Sequence, residues 1–258
     1  MNSALGEVME VCLLAGKIML QSGAEIYRIE DTMNRIARAC AIPEAQSYVT
    51  PTGIFLTLQG LEQNQQQTKF LRINNRQIDL NKIVEVNEIS RKLSEGEITL
   101  HKAREALLTI EKSSFLYPLW LQIIAAALTS GFFSLAFGGT VNDFLPSVAA
   151  GGLGFLLYTI STRHIAVKFF SEIFAAFAIG FIAYLFYYLG MYNFNIDIHI
   201  DKVIIGSVMP LVPGVLIMNS IRDLMAGDLV AGLARGTEAF LTAFAIGSGV
   251  AVALAVLM

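Results

Sequence analysis

Residues 209–223 read MPLVPGVLIMNSIRD, and the fold turns on what that segment is. It is apolar enough to enter a bilayer. Yet Pro210, Pro213 and Gly214 sit near its middle, and Asn219, Arg222 and Asp223 stand at its end. A proline inside a helix removes a backbone donor and clashes with the preceding turn, costing about 3 kcal/mol or more. A single proline would give a kink. Two prolines three apart, followed by glycine, predict a break instead. Backbone groups freed at bilayer depth must be buried in protein or line a wet cavity, and half-helices of that kind form the substrate sites of many transporters.

The rest of the chain sets this segment in a membrane. Of 258 residues, 55% are hydrophobic and 15% charged, too apolar a mixture for an ordinary soluble domain. The net charge of −3 argues against nucleic acid, which calls for a strongly basic face. The charges are also unevenly placed. Before residue 117 lie 13 of the 18 Lys and Arg and 14 of the 21 Asp and Glu. After it, windows free of charge occur at 117–137, 144–162, 173–196, 203–221 and 239–258. Each is about 20 residues, the length a helix needs to cross the hydrocarbon core. Strand alternation is absent from them, which leaves helices.

These features predict a mainly α membrane protein. A cytoplasmic α+β domain (1–116) precedes a transmembrane domain (117–258) of five helices, at about 117–137, 144–162, 170–192, 203–221 and 238–258, the fourth interrupted. Arg163 and Lys168 fall between spans two and three, and Arg222 and Arg235 between four and five. The opposite linkers carry Asp143 in one case and Asp197, Asp201 and Lys202 in the other. The positive-inside rule then places the N-terminus in the cytoplasm and Met258 outside. Glu7 and Glu10 interrupt the stretch where the apolar core of a signal peptide would lie, so none is expected. Small residues spaced by four predict close helix packing: Ala127 and Gly131, Ala150 and Gly154, Ala176 and Gly180. Span five has an unbroken line, Ala243, Gly247, Ala251 and Ala255, suited also to meeting another subunit.

In the soluble part, Val8, Cys12, Ala15, Ile18 and Met19 mark one face of a helix over 3–21. Ile26, Ile29, Met33, Ile36 and Cys40 mark a second helix, stopping near Pro43. SYVTPTGIFLTLQ (47–59) predicts a hairpin around Pro51 and Gly53, and TKFLRI (68–73) a third strand after a polar loop at 63–67. Two further helices follow at 81–93 and 99–113, capped by Asn81 and Thr99. Cys12 and Cys40 have no metal-ligand spacing and lie on apolar stripes, so buried free thiols are expected. His101, His164 and His199 are scattered. Neither metal nor cofactor is implied.

SGAEIYRIED (22–31) admits two readings. Glu25, Arg28, Glu30 and Asp31 would suit an acid/base cluster, making a membrane-tethered hydrolase. Alternatively Ser22 and Glu25 form a capping box and Asp31 pairs with Arg35 one turn on, leaving a solvated helix face. The second reading is preferred, because no nucleophile triad, phosphate-cradling loop or metal set accompanies the acids. The tract after the break continues LMAGDLVAGLARGTEAF (224–240). Arg222 and Arg235 suit either orientation or a functional role, whereas Asp223, Asp228 and Glu238 do nothing for orientation and suit pairing, proton coupling or gating.

Two stretches, QSGAEIYRIEDTM (21–33) and PLVPGVLIMNSIRDLMAGDLVAGLARGTEAF (210–240), resemble the N-terminal half of the threonine/serine exporter family, and the soluble-then-five-span layout agrees over nearly the whole chain. The resemblance implies ion-gradient-driven export of small polar metabolites. On an exporter reading, the helix break and the polar residues after it lead us to expect cargo contacts at Pro210, Pro213, Gly214, Asn219 and Arg222, and coupling or gating by Asp223, Asp228, Arg235 and Glu238. Ser22, Gly23, Glu25, Arg28, Glu30 and Asp31 stand in the cytoplasmic motif. Single-chain actinobacterial members append a second membrane half. Enterobacterial members split the halves and are linked to succinate export. A chain ending after span five implies a separate small membrane partner, with homo-oligomerisation as an addition. A scaffold that leaves transport to its partner is the remaining alternative.

Overall fold

The computed structural model describes residues 2–60, 66–113, 117–164, 167, 169–194 and 196–257. Positions 63–65 of the polar loop, Lys168 and Met258 lie outside the described residues. The chain divides into two compact units: Met1–Leu116 with Val215–Thr237, and Tyr117–Gly214 with Glu238–Met258.

The first unit holds helices α1 (Asn2–Gln21), α2 (Ile26–Ala39), α3 (Leu80–Ser94) and α4 (Leu100–Lys112), and strands β1 (Glu44–Thr50), β2 (Gly53–Gln59) and β3 (Gln66–Arg72). It also takes in most of α9 (Gly214–Ala226) and the start of α10 (Leu229–Leu257). The five apolar positions that define α1 in the sequence are all buried, but so are Met9, Val11 and Leu20. The reason is that α1 is central: α2, α3, α4, β2 and β3 all pack against it. The sheet is antiparallel in the order β1-β2-β3, with the turn at Pro51–Thr52 closing the first hairpin. Its period of two sends Val49, Ile54, Leu56 and Leu58 into the core. The opposite, exposed face carries a cross-strand row of Tyr48, Phe55 and Phe70.

Three local expectations need correction. Gln66 and Gln67 belong to β3 rather than to the loop. Helix α3 starts one residue earlier than expected and is capped by Asp79, whose side chain accepts from Lys82 N at 3.3 Å, not by Asn81. Cys40 is only half-buried, because α2 ends at Ala39 and leaves it at the C-cap. Thr99 does cap α4, accepting from Lys102 N. Both cysteines are free, and burial pushes the Cys12 thiol far up, so it stays protonated and inert.

The second unit is built from α5 (Leu119–Ala136), α6 (Val141–His164), α7 (Phe170–Leu189) with a π turn to Phe194, α8 (Ile200–Val208), and α10 from Glu238 onward. Small residues set its spacing. A Cβ on Gly206 of α8 would stand 2.7 Å from the backbone oxygen of Ser130 on α5. One on Gly249 of α10 would stand 2.4 Å from the carbonyl of Ile173 on α7. Such contacts let helix backbones pack nearly in touch. The expected line Ala243, Gly247, Ala251 and Ala255 faces the other way and is exposed along its whole length.

Among the described residues, four helices are long and apolar enough to cross a membrane: Leu119–Ala136, Val141–His164, Phe170–Tyr192 and Leu229–Leu257. A fifth span arises if Ile200–Leu211 and Gly214–Ala226 count as one interrupted crossing. The interruption falls where the prolines are. Met209–Leu211 tightens into a 3-10 turn, Val212 is extended, and α9 starts afresh at Gly214. Helix α10 begins at Leu229, earlier than the expected 238, so Arg235 is a helical residue rather than linker.

Candidate functional site: a charge clasp between two distant motifs

On α9, Asn219 and Asp223 are four apart and share a face, and with Ser220 they make its buried side. The chain then reverses. Gly227 takes a positive φ of 93°, a conformation that side-chain-bearing residues adopt at a cost, and the amide of Asp228 donates back to the carbonyl of Asp223 at 2.9 Å. Helix α10 runs back close along α9. Ser220 Oγ donates to the carbonyl of Gly232 at 2.7 Å, and a Cβ on Gly232 would meet Leu224 Cγ at 2.6 Å. This tight hairpin returns Arg235 to Asp223, Nη1 to Oδ2 at 2.8 Å.

The hairpin closes on the loop between α1 and α2. That loop is shaped by Gly23, with φ of 87°, and held from behind by the amides of Gln77 and Asp79, which donate to the carbonyls of Gln21 and Ser22. Three of the backbone groups at and after Gly23 bond to the hairpin. Asn219 Nδ2 donates to the carbonyl of Gly23 at 2.7 Å. Arg235 Nη2 donates to the carbonyl of Ala24, also at 2.7 Å. The amide of Ile26, first in α2, donates to Asp223 Oδ1 at 3.1 Å. The carboxylate of Asp223 therefore caps α2 from almost 200 positions away and sits at the positive end of its dipole.

That contact overturns the expected capping box. Ser22 is not the N-cap residue. Glu25 occupies that position, and its side chain makes no capping bond. Instead Glu25 is buried and accepts from two arginines: Arg222 Nη1 at 2.5 Å on Oε1, and Arg28 Nη1 at 3.1 Å on Oε2. The Glu25 end of the motif is thus no solvated helix face. Glu30 is half-buried and accepts from the amide of Val49 at 3.1 Å. Asp31 does form the expected surface pair with Arg35.

The two acids respond to their surroundings in opposite directions. Burial alone would raise the carboxyl of Glu25, but its own backbone amide, Arg222 and Arg28 together hold it below the usual carboxylate range. Burial raises Glu30, the amide of Val49 opposes, and the nearby charge of Asp228 adds to the rise. A folded-state value below the unfolded one means the unfolded chain binds more protons at acid pH. The stability contributed by Glu25 is then complete above about pH 4.3 and is lost as pH falls through its depressed value. Glu30 has the reverse sign. The thermal stability gap between the native chain and Glu25→Gln is therefore expected to narrow on acidification. Melting curves from about pH 7 down to about pH 3 measure it.

The remaining expected positions divide. Asp228 lies half-buried in the turn before α10, within electrostatic reach of Glu30. Pro210, Pro213 and Gly214 form the break and belong to the second unit, as does Glu238. The space around Gly214 is open: a Cβ there would meet nothing within 4 Å.

One polar cluster escaped the sequence reading. In the second unit Asp143 is fully buried and accepts from Thr140 N at 2.6 Å, Thr140 Oγ1 at 2.9 Å and His199 N at 2.7 Å, with His199 Nδ1 at 3.1 Å. It joins the starts of α6 and α8. The signal was present locally, since Thr140-Val-Asn-Asp143 has the spacing of a capping box, but nothing in the sequence points to His199. Among the described residues no group of three or more His, Cys, Asp and Glu is placed to hold a metal.

Comparison with known proteins adds the following. The family model described as "Putative threonine/serine exporter" matches residues 10–257. The "Probable succinate transporter subunit YjjP" of Escherichia coli is 26% identical over 250 residues, covering 96% of this chain and 94% of that protein. The "Probable threonine/serine exporter" of Mycobacterium tuberculosis is 23% identical over 242 residues, covering 92% of this chain and 44% of that one. The "Pheromone-regulated membrane protein 10" of Pichia sorbitophila is 23% identical over 246 residues, 94% of this chain and 24% of its own. The chain thus spans nearly all of the first relative and under half of the other two. No solved structure matches it.

Proposed function

The chain belongs to the threonine/serine exporter family, and from that premise we propose that it is one subunit of a secondary active exporter of small polar metabolites, either threonine- and serine-type amino acids or a dicarboxylate such as succinate. The relative named a transporter subunit is matched along nearly its whole length, whereas the Mycobacterium tuberculosis exporter is more than twice as long as the matched region. Both facts favour a second small membrane subunit that supplies the other half. The exposed line Ala243, Gly247, Ala251 and Ala255 is a face suited to that subunit or to a second copy.

In this reading the protein lies in the bacterial cell membrane. Residues 1–116 form a cytoplasmic domain, 117–258 form the transmembrane domain, and the C-terminus is outside. The break at Pro210, Pro213 and Gly214 offers unpaired backbone groups and helix ends to the cargo. Asn219 and Arg222 recognise its polar groups, and Asp223, Asp228, Arg235 and Glu238 couple and gate. The observation that carries the proposal is the clasp itself. The helix leaving the break carries Asp223, in a buried ion pair with Arg235 of α10, and Arg222, a half-exposed partner of Glu25 in the loop before α2. Buried pairs cost more to desolvate than their attraction returns unless the geometry is good, and they suit an element with two arrangements.

Efflux tests this. Pro213→Ala, Asp223→Asn and Asp228→Asn would be produced together with the proposed small membrane subunit in cells lacking the native genes for both. Each variant would be confirmed to insert and assemble. Efflux of threonine, serine and succinate is expected to fall at least tenfold in one or more of them. Native efflux in all three removes the proposed site.

A further inference from the structure

Glu25 holds two guanidinium groups at once, and neither is used up. Its carboxylate side chain is 6% exposed, while those of Arg28 and Arg222 are 38% and 52% exposed. Each arginine donates to Glu25 through Nη1 alone. A guanidinium carries five donors in a planar fork matched to a carboxylate, so both forks keep free N–H groups at the surface. Asp223 and Arg235 differ from this arrangement. Their side chains are 0% and 3% exposed, paired one to one, and closed off.

We infer that Arg28 and Arg222 form a binding site for the carboxylate of a small metabolite, in which the side chain of Glu25 sits as a tethered competitor. Two arginines brought to opposite oxygens of one carboxylate make the charge and geometry a free carboxylate would meet. The native occupant is a side chain of the same chemistry, attached by a short tether to α2. The inference rests on the exporter reading for its consequence: cargo displaces Glu25, and with it the Arg222 contact, one of those that join α9 to the loop before α2. Binding at the site then loosens the clasp. Because a tethered group acts at an effective concentration in the millimolar range or above, a free ligand binds the native chain weakly and binds more tightly once the tethered acid is removed.

The test uses the full chain in detergent micelles, with succinate as probe and sodium chloride and sulfate at matched ionic strength as controls. A ligand that binds only the folded state raises its melting temperature as its concentration passes the dissociation constant. Succinate is expected to stabilise Glu25→Gln at a concentration at least tenfold lower than the native chain requires. The effect should vanish on adding Arg28→Gln or Arg222→Gln. No succinate effect in Glu25→Gln, or one that survives loss of either arginine, overturns the inference. An equal effect of sulfate overturns the assignment to carboxylates. Should Glu25→Gln fail to fold, Glu25→Ala, which also removes the tethered carboxylate, replaces it under the same criteria. The readout does not require transport. Carboxylate binding without efflux would remove the exporter reading and leave this site, and efflux without binding would do the reverse.

Discussion

Arg235→Ala is expected to destabilise the first unit by about 3–5 kcal/mol, the cost of leaving a buried charge without its partner. The guanidinium is 3% exposed and donates both to Asp223 Oδ2 and to the carbonyl of Ala24. Without it Asp223 remains buried at the start of α2 with one amide as its compensation, and the carbonyl of Ala24 loses its donor. Asp223→Ala should cost a comparable amount, because it strands Arg235 and uncaps α2 together. The informative comparison is the double variant Asp223→Leu, Arg235→Leu. Removing both charges avoids the stranded ion, so its stability should lie above that of either single variant. Denaturant unfolding in micelles, followed by proteolysis of the Ser22–Glu25 loop, measures all three. If each single variant melts like the native chain, the clasp bears no weight.

The second large effect is expected at Asp143. Replacing it with alanine leaves the amides of Thr140 and His199 and the hydroxyl of Thr140 without an acceptor inside the second unit. Hydrogen bonds to a charged group contribute about 1.5–3 kcal/mol each, and a stranded buried donor costs about 1–3 kcal/mol. The terms overlap, so a loss of about 3–4 kcal/mol follows. Asparagine has the same shape and keeps one oxygen acceptor, so Asp143→Asn should lose less than half as much. His199→Ala removes only the ring contact and keeps the amide, and should be the mildest of the three. Thermal unfolding in micelles gives the ranking, and an Asp143→Ala melt no lower than that of His199→Ala would contradict it. The start of α8 leads within nine residues to the break, so efflux should follow the same order.

The break between α8 and α9 was legible from two prolines and a glycine because their effect on a helix is local: a missing donor and a steric clash need no distant partner. The long apolar helices, the hairpin at Pro51 and the cap at Thr99 were legible from equally local signals. What failed locally is instructive. Ser22 and Glu25 have the spacing of a capping box, but a capping box satisfies a helix end only when nothing stronger reaches it. Here Asp223 does, and Glu25 is drawn away to Arg222 and Arg28.

Within one stretch of chain, then, periodicity, proline chemistry and charge spacing determined where helices run, where one of them breaks, and which two segments carry uncommon polar residues. That those two segments are halves of a single charge cluster was decided only by folding. The partners are almost 200 positions apart, and the attraction between charges depends on separation in space and on burial, neither of which is written in local order. The same holds for Asp143 and His199. A sequence shows that a charge is present, but only packing decides which opposite charge or amide it meets when water is taken away.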